Sequence, residues 1–199
     1  WRAPAAPDDD ISWVHGLRSD QQPEVGRAVD GTGQCASLDN LPPSGEAAAL
    51  RRWHDFHDAA LDAYADDRNR PDIDGSSRLS VHLKYGEIHP RTILAELGDS
   101  KGHEVFRKEL AWREFYADVL HHAPETANEY LRPEFARMDY DSGPDADARL
   151  VAWQQGRSGY PIVDAGMRQL QHEGWMHNRV RMIVASFLVK DLHLEWQLG

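Results

Sequence analysis

The chain has 199 residues, enough for one domain or two, and 41% of them are hydrophobic, which is sufficient for a core. Its formal net charge of −11 argues against a wholly nucleic-acid-binding surface, but residues 149–190 hold six basic residues against two acidic ones, so a local basic surface stays open. A single cysteine excludes an intrachain disulfide, and no segment reaches the roughly 20 apolar residues of a membrane span, so a reducing cytoplasm is expected.

The first part of the chain, residues 1–41, is predicted to be an irregular linker. It is rich in Pro, Gly, Asp and Gln and lacks hydrophobic periodicity. We interpret Cys35 as an incidental thiol of this linker. Because the chain does not begin with Met and stops directly behind a strongly helical segment, we expect it to be a piece of a longer protein.

Apolar residues recur at helical spacing through residues 42–199, with no alternating strand pattern of useful length, so we predict an all-α domain there. The first expected helix runs from Ala47 to about Ala65 with Ser44 as its cap, and a short second one is opened by residues 76–80 and stopped by Gly86. Further helices are expected at 90–97, 104–120, 162–173 and 178–194. A shorter one should follow Pro124, then a loop over 132–147 and a short helix ending near residue 155.

Three serines surround an arginine at the start of one short helix: Ser76, Ser77 and Ser80, with Arg78 between them. Hydroxyl groups, the unpaired N–H groups of a helix start and a guanidinium together favour an anionic ligand. Ordinary serine capping explains the same pattern, so both interpretations stay open.

The segment 109–116 combines a carboxylate, an indole and a guanidinium on adjacent helix turns. Trp112 could offer its aromatic face to a nucleobase, and Glu109 could accept a hydrogen bond from the base edge. The alternative is a surface ion pair between Glu109 and Arg113, which are four residues apart.

The segment 174–191 is the most informative one. Trp175, Asn178, Arg179 and Arg181 crowd the entrance of an otherwise apolar helix, and Asn178 is a suitable N-cap. The arginines and the positive end of the helix dipole suit phosphate or the electron-rich edge of a flavin. A buried core helix with a basic entrance is the alternative.

Several other residues are interpreted without a functional role. Trp153 and Tyr160, at the two ends of a loop with two glycines, are expected in the core. His54, His57 and Asp58 are expected on a solvated helix face, because no ligand that would complete a metal site is apparent. We therefore predict no metal.

Five separated motifs in residues 42–199 resemble those of the DNA photolyase/cryptochrome family and occur in the family's order. They are Tyr64-x-x-x-Arg68, Gly75-Ser-Ser-Arg-Leu-Ser80, Leu83-Lys-Tyr-Gly-Glu-Ile-His-Pro-Arg91, Glu109-Leu-Ala-Trp-Arg-Glu-Phe-Tyr116, and Gly156-Arg-Ser-Gly-Tyr-Pro-Ile-Val-Asp-Ala-Gly-Met-Arg-Gln-Leu170 running into Gly174-Trp-Met-His-Asn-Arg179.

The resemblance implies a helical FAD-binding domain, here incomplete, and a photochemical repair reaction. Blue light excites reduced flavin, which gives an electron to a cyclobutane pyrimidine dimer flipped out of DNA, and the electron returns once the dimer has split. The resemblance also implies damaged DNA as the partner, no obligate protein partner and no membrane. An antenna chromophore is expected only in an N-terminal domain that residues 1–41 would follow.

By position, the resemblance implies a role for each matching residue. The FAD contacts are Tyr64, Ser76, Ser77, Arg78, Leu79, Ser80, Phe106, Glu109, Arg113, Trp175, Asn178 and Arg181. The catalytic residues at the lesion or in electron transfer are Glu109, Trp112, Asn178, Met182 and Trp196. The DNA contacts are Arg68, Trp112, Asn178 and Arg179, whereas Lys84 and Arg91 are expected to be scaffold.

The resemblance is strongest to cyclobutane-dimer photolyases of class I. The run His177-Asn178-Arg179 is similar to dimer-repairing photolyases and plant-type cryptochromes, and Trp112 with Met182 favours repair over signalling. We therefore expect light-dependent repair of cyclobutane pyrimidine dimers, a carbon–carbon lyase activity. A blue-light photoreceptor without repair activity is the alternative.

The sequence departs from the family's pattern at three places. The N-terminal antenna domain and the C-terminal part of the FAD domain are missing, and Tyr140 stands where the family's electron chain has a surface tryptophan. Phe106 also stands where some members have tryptophan. Because part of the flavin pocket is absent, we expect these 199 residues to hold FAD weakly or not at all, to lack repair activity and to self-associate through exposed apolar surface.

Overall fold

The computed structural model of the chain describes residues 41–199, and these residues form helices and turns with no strand among them. The predicted all-α class is therefore confirmed. The expected linker, apart from Leu41, lies outside the described residues, as does Cys35. The boundary between linker and domain stays a prediction.

Eight α-helices follow one another in the described part of the chain. They are α1 (Glu46–Ala59), α2 (Tyr64–Asp67), α3 (Ser80–Lys84), α4 (Pro90–Glu96), α5 (Lys101–His122), α6 (Pro144–Gln154), α7 (Pro161–Glu173) and α8 (Asn178–Lys190). Short 3-10 turns occupy Pro124–Ala127, Pro133–Arg137 and Trp196–Leu198. Proline opens α4, α6 and α7, where its missing N–H leaves no helical bond unmade.

A first hydrophobic core lies between α1, α2, α4 and the first half of α5. Trp53 is fully buried at its centre and stacks on Phe106 with ring centroids 5.7 Å apart. The indole N–H of Trp53 donates to Glu96 Oε2 at 2.6 Å, so the buried polar atom is satisfied. Burial of each such large side chain contributes about 1.5–3 kcal/mol, which fixes the face of α1 that points inward.

A second core joins α6, α7 and α8. Its centre includes Trp153, whose indole N–H donates to the carbonyl of Val184 at 3.2 Å. Helices α7 and α8 approach closely at Gly166, because a Cβ built there would lie only 2.4 Å from Val180 Cγ1. The expectation that Trp153 is a core residue is confirmed, whereas Tyr160 is exposed and covers Phe187 from outside.

The helix predicted over residues 47–65 is in fact two helices, because α1 ends at Ala59 and α2 begins at Tyr64. The break follows from tertiary packing. The start of α5 lies against this connection so closely that a Cβ on Gly102 would be 2.0 Å from the carbonyl oxygen of Leu61. Only the absence of a side chain at Gly102 permits the contact.

Two predicted helix caps are wrong. Gly45, with φ of +96°, is the N-cap of α1, and Ser44 makes no capping bond. His177 is the N-cap of α8, and Asn178 is the first helical residue instead. The His177 ring nitrogen Nδ1 accepts from the N–H of Arg179 at 3.1 Å, so a histidine performs the task assigned to the asparagine.

Two helix boundaries also differ from the expectation. The predicted loop over 132–147 contains the 3-10 turn Pro133–Arg137 and ends early, because α6 begins at Pro144. Helix α8 ends at Lys190 and not near residue 194. His193, with φ of +54°, reverses the chain there and lets Leu194 enter the second core.

Candidate cofactor groove

An open groove of about 480 Å³ lies between the loop of residues 74–80, which we call the serine loop, and the entrance of α8. Its volume falls within the roughly 300–1,000 Å³ typical of cofactor sites. The groove brings together most of the residues expected at FAD: Tyr64, Ser76, Ser77, Arg78, Leu79, Ser80, Glu109, Trp175, Asn178 and Arg181.

Arg52 of α1 holds the serine loop from behind. Its guanidinium donates from Nη2 to the carbonyl of Ser76 and from Nε to the carbonyl of Ser77, both at 2.8 Å. With these carbonyls bound to Arg52, Ser76, Ser77 and Ser80 line the groove, although the Ser77 hydroxyl also accepts from the N–H of Leu79 at 3.4 Å. The loop therefore presents donors, which suits an anion.

Arg78 fixes the middle of the serine loop in a left-handed conformation, with φ of +52°. Its Nε donates to Asp74 Oδ1 at 3.0 Å and its Nη1 to Glu173 Oε2 at 3.1 Å. The guanidinium also lies over the Trp175 ring, 4.2 Å from the ring centroid. Arg78 thus joins the serine loop to the end of α7 and to Trp175.

Two helix starts face the groove. The first N–H groups of α3 and α8 have no partner within their own helices, and each start carries a partial positive charge. Arg179, Asn178 and Arg181 stand at the start of α8, as the sequence predicted. The groove therefore offers hydrogen-bond donors for a phosphate group from two sides.

His177 caps α8 in its neutral form. Burial is the largest cause that lowers its pKa below 6.5, and the nearby charges of Arg179 and Arg78 lower it further. A neutral ring can use Nδ1 as an acceptor, which the capping bond to Arg179 requires.

The charges of the groove are positive on balance. Arg68 Nη1 and Glu109 Oε1 form an ion pair at 2.6 Å, so these two charges neutralise each other. Arg179 donates to the uncharged Asn69 at 2.8 Å, and Lys84 and Arg181 have no ion-pair partner among residues 41–199. Three uncompensated cations in an acidic chain favour an anionic ligand.

Tyr64 supplies a buried neutral hydroxyl at the base of the groove. Burial raises its pKa to about 12, although the charge of Arg68 opposes this rise. The ring is held edge-on against Phe56 and Phe106, with centroids 5.6 Å and 5.2 Å away.

These donors fit FAD. The serine hydroxyls, the helix starts and the cations Lys84 and Arg181 suit its diphosphate, and the neutral hydroxyl of Tyr64 can donate to the same oxygens. Ring faces of Trp175 and the apolar contacts of Leu79 suit the parts of the cofactor that carry no charge.

Two residues expected at FAD lie elsewhere. Phe106 is a buried residue of the first core, where it packs behind Tyr64 and does not line the groove. Arg113 lies outside the groove, pairs with Glu114 and donates to the carbonyl of Leu83 at 3.3 Å. The alternative ion pair between Glu109 and Arg113 is not formed, since the partner of Glu109 is Arg68.

The residues expected at the lesion form two groups. Glu109 and Asn178 line the groove, whereas Trp112 and Met182 are exposed beyond it, at 53% and 55%. Trp112 stands one turn after Glu109 on α5 and stacks on Tyr116 at 6.0 Å. Met182 contacts Arg179 through its sulfur at 3.7 Å.

Of the residues expected to contact DNA, Arg68, Asn178 and Arg179 border the groove and Trp112 lies outside it. Lys84, expected to be scaffold, also borders the groove, whereas Arg91 does not.

Trp196 lies away from the groove, next to two other cavities. A cavity of about 240 Å³ has both Arg181 and Trp196 in its wall, and a cavity of about 530 Å³ has Trp196 and Tyr140. Arg181 also lines the groove. Trp196 therefore shares one cavity with a groove residue, Arg181, and the other cavity with Tyr140.

Sequence reasoning missed three residues that shape the groove: Arg52, His177 and Glu173. Arg52 is adjacent to the buried Trp53, so its position beside the apolar stripe of α1 was the available signal. His177 lay in the motif already singled out, but the asparagine beside it is the more common cap. Glu173 gave no local signal, because its partner Arg78 is 95 residues away.

Residues 41–199 contain neither a metal site nor a membrane-spanning helix. No group of three His, Cys, Asp or Glu residues there is arranged to hold a metal ion, and His57 pairs with Asp58 at 2.8 Å. No helix in that range is both long and apolar enough to cross a membrane.

Comparison with known proteins gives consistent relatives. The family model for the FAD binding domain of DNA photolyase matches residues 106–199. The deoxyribodipyrimidine photo-lyase of Alkalihalophilus pseudofirmus is 43% identical over 159 residues, which are 78% of this chain and 33% of that protein.

Solved structures agree with the sequence relatives. A bacterial class III photolyase from Agrobacterium tumefaciens matches with a TM-score of 0.71 and 41% identity over 78% of this chain and 34% of that one. A cryptochrome from Synechocystis matches with a TM-score of 0.73 and 30% identity over 83% of this chain and 36% of that one. The chain spans about a third of the length of the relatives it matches.

Proposed function

Because this chain belongs to the DNA photolyase and cryptochrome family, we propose that its groove holds FAD and that the protein repairs cyclobutane pyrimidine dimers in DNA with light. The observation that carries the proposal is the convergence of the serine loop, Tyr64 and the start of α8 on one positively charged groove. The order of these three segments in the chain does not by itself require them to line one groove.

Bound FAD would supply light absorption and the transferred electron. The chain's own residues would bind and orient it. The serine loop, braced by Arg52 and Arg78, would hold the diphosphate, and Asn178 would contact the cofactor at the start of α8. The hydroxyl of Tyr64 would act as a donor at neutral pH, and burial raises its pKa to about 12.

Damaged DNA would meet the same groove at its rim. Arg179 is positioned for a phosphate, and Arg68 could serve the same role if DNA displaced Glu109 from it. Glu109 and Asn178 would then face the edge of a flipped base, while Trp112 would offer its exposed ring face. We place this activity in the cytoplasm, with no obligate protein partner.

The experiment that tests repair is a blue-light assay of the full-length protein with reduced FAD on DNA that contains a thymine dimer. Restored thymine is the expected result, and darkness is the control. A protein that binds FAD but leaves the dimer intact under light would refute the repair function.

A blue-light receptor without repair activity is the second candidate, favoured by the similarity to the Synechocystis cryptochrome. Lesion-specific binding separates the two, because a receptor has no need of it. If Trp112 stacks on the lesion, Trp112→Ala should weaken binding to dimer-containing DNA by about 1–3 kcal/mol. Leu120→Ala, an exposed position two turns further along α5, is the matched control.

We also propose that the 199-residue chain by itself holds FAD only weakly and does not repair DNA, since it matches only about a third of the length of its relatives. The exposed side chains of Trp112, Phe115, Tyr116 and Leu120 would favour self-association. A visible absorption spectrum of the purified chain, with and without added FAD, tests cofactor retention, and its mass by light scattering tests self-association. A yellow monomer with one FAD per chain would refute them.

A further inference from the structure

Two tyrosines and a tryptophan meet around the larger cavity beside α8. Tyr130, Tyr140 and Trp196 all line it, and the rest of its wall is largely apolar, with Phe135, Met138 and Val189. Tyr130 stands edge-on to Trp196 with ring centroids 5.9 Å apart. Contact at this distance allows direct electron exchange between the two rings.

A carboxylate completes this cluster. The Tyr130 hydroxyl lies 3.1 Å from the Tyr140 hydroxyl and 3.3 Å from Glu195 Oε1. The Tyr130 hydroxyl has one proton to donate, and the Tyr140 oxygen and the Glu195 carboxylate are the two acceptors within reach. Of these two, only an ionised carboxylate takes up a proton readily. Asp139, Lys190 and His193 also line the cavity, but Glu195 is the charged group within hydrogen-bond distance of Tyr130 in the described part of the chain.

The backbone holds these groups in place. The N–H of Asp141, next to Tyr140, donates to the carbonyl of His193 at 2.9 Å, which ties the tyrosine segment to the exit of α8. The side chain of Tyr130 is bonded across 65 residues to Glu195. The cluster therefore depends on tertiary structure and not on neighbouring positions in the chain.

We propose that Tyr130 reduces Trp196 after this tryptophan has lost an electron, and that Tyr130 passes its hydroxyl proton to Glu195 in the same step. One electron moves from the Tyr130 ring to the oxidised Trp196, which becomes neutral. The O–H bond of Tyr130 breaks, its proton binds Glu195 Oε1, and a neutral tyrosyl radical remains. This inference rests on the proposed function in one respect only, which is that the natural oxidant of Trp196 would be a photoexcited flavin.

The physical reason for this direction is proton loss. A phenol that has lost an electron is a far stronger acid than the intact phenol, so a waiting carboxylate makes the oxidation favourable. The intact phenol of Tyr130 keeps its proton at neutral pH, as an ordinary tyrosine does, and burial and hydrogen bonding to Tyr140 raise its pKa further, so it has a proton to release once it is oxidised. The return of the electron then needs the proton as well, which slows it.

The position of Trp196 supports its part as the intermediate. It lines both the tyrosine cavity and the small cavity that includes Arg181, and Arg181 lines the groove. Tyr130, and not Tyr140, is therefore the terminal donor, because Tyr130 makes both the ring contact to Trp196 and the bond to Glu195.

The test uses an oxidant that does not depend on FAD. A ruthenium polypyridyl complex is attached to the full chain at Gln197→Cys, an exposed position beside Trp196, in a Cys35→Ser background that leaves no other thiol. A laser flash with a soluble electron acceptor oxidises the complex and then Trp196. Transient absorption and electron paramagnetic resonance follow the tryptophan and tyrosyl radicals.

The expected result is a tyrosyl radical that forms as the tryptophan radical decays. Tyr130→Phe should abolish it and lengthen the life of the tryptophan radical, whereas Tyr140→Phe and the exposed control Tyr160→Phe should retain it. Glu195→Gln should slow its formation by roughly tenfold or more, since a positioned base is lost, and deuterated water should slow it as well.

Three results would overturn the proposal. The first is an unchanged tyrosyl yield in Tyr130→Phe, and the second is loss of the radical in Tyr140→Phe with Tyr130 intact. The third is a rate of radical formation that neither Glu195→Gln nor deuterated water alters, and this measurement tests the proposal even if Tyr130→Phe does not fold. None of these outcomes depends on whether the chain binds FAD or repairs DNA.

Discussion

At the scale of single residues, Arg78 stands in a strained backbone conformation at the groove, and its contacts with other residues offset the energetic cost of that strain. A left-handed arginine costs on the order of 1–3 kcal/mol, and its bonds to Asp74 and Glu173 and its position over Trp175 compensate for this cost. The serine motif identified the loop, but the sequence does not show that Arg78 faces the end of α7.

Arg52 provides a prediction about cofactor affinity. Arg52→Gln removes the two charge-assisted bonds that turn the carbonyls of Ser76 and Ser77 away from the groove. We expect FAD affinity to fall by about 1.5–3 kcal/mol, measured by titration of flavin fluorescence. The neighbouring Arg51→Gln should bind FAD like the parent, and equal affinity in both variants would contradict this role of Arg52.

His177 provides a prediction about pH. Its pKa in the folded state lies below 6.5, so the unfolded chain takes up a proton more readily, and stability present above about pH 6.5 is lost as pH falls towards the folded-state pKa. His177→Asn keeps a capping side chain and cannot titrate. Urea unfolding between pH 7.5 and pH 5 should therefore show a shallower loss of stability in His177→Asn than in the parent.

The control for this pH effect is His121→Asn, a change at an exposed histidine near the end of α5. We expect the pH profile to change more in His177→Asn than in His121→Asn, because His177 is buried. Parallel pH profiles for the parent and His177→Asn would show that the buried ring does not resist protonation.

At the scale of helices, hydrophobic periodicity predicted existence and type well and failed where a distant segment interrupts a helix. Helices α4, α5, α7 and α8 occur where they were expected, because each has a clear apolar face. The split between α1 and α2 is set by α5, whose Gly102 lies 41 residues beyond Leu61. No window of local sequence contains both partners of that contact.

The glycines at two helix contacts provide a stability prediction. Gly102→Ala and Gly166→Ala would place a Cβ 2.0 Å from the Leu61 carbonyl oxygen and 2.4 Å from Val180 Cγ1, so the helices must separate. We expect each change to lower the unfolding free energy by about 1–3 kcal/mol or more, measured by urea denaturation.

Gly98→Ala is the matched control, because its nearest neighbour would be His103 at 3.6 Å and its φ is not positive. It should leave stability within about 0.5 kcal/mol of the parent or raise it slightly. A loss at position 98 as large as at positions 102 and 166 would mean that the helix contacts are not the cause.

At the scale of the whole described unit, the groove lies where two hydrophobic cores meet. Tyr64 and Leu79 reach it from the first core, and Met176 reaches it from the second. The sequence located both walls through their motifs, but only the three-dimensional structure shows that Trp112, Met182 and Trp196 stand outside the groove.

A ligand that binds both walls should stabilise the folded chain. We expect excess FAD to raise the melting temperature, with a gain of about 2.7 kcal/mol when its concentration is a hundred times its Kd. Riboflavin, which lacks the diphosphate, should raise it much less, because it cannot reach the donors of the serine loop and α8 together. Equal shifts would mean that the phosphates do not use these donors.

The two contacts that close the groove, Arg78 with Glu173 and Arg179 with Asn69, join residues 95 and 110 positions apart. Contacts between such distant positions carry a large loop-closure entropy and tend to form late in folding, after the local helices. The groove should therefore be absent from most of the folding route, so FAD would have little to bind before the rate-limiting step. Added cofactor would then leave the rate of refolding nearly unchanged and act almost entirely by slowing unfolding.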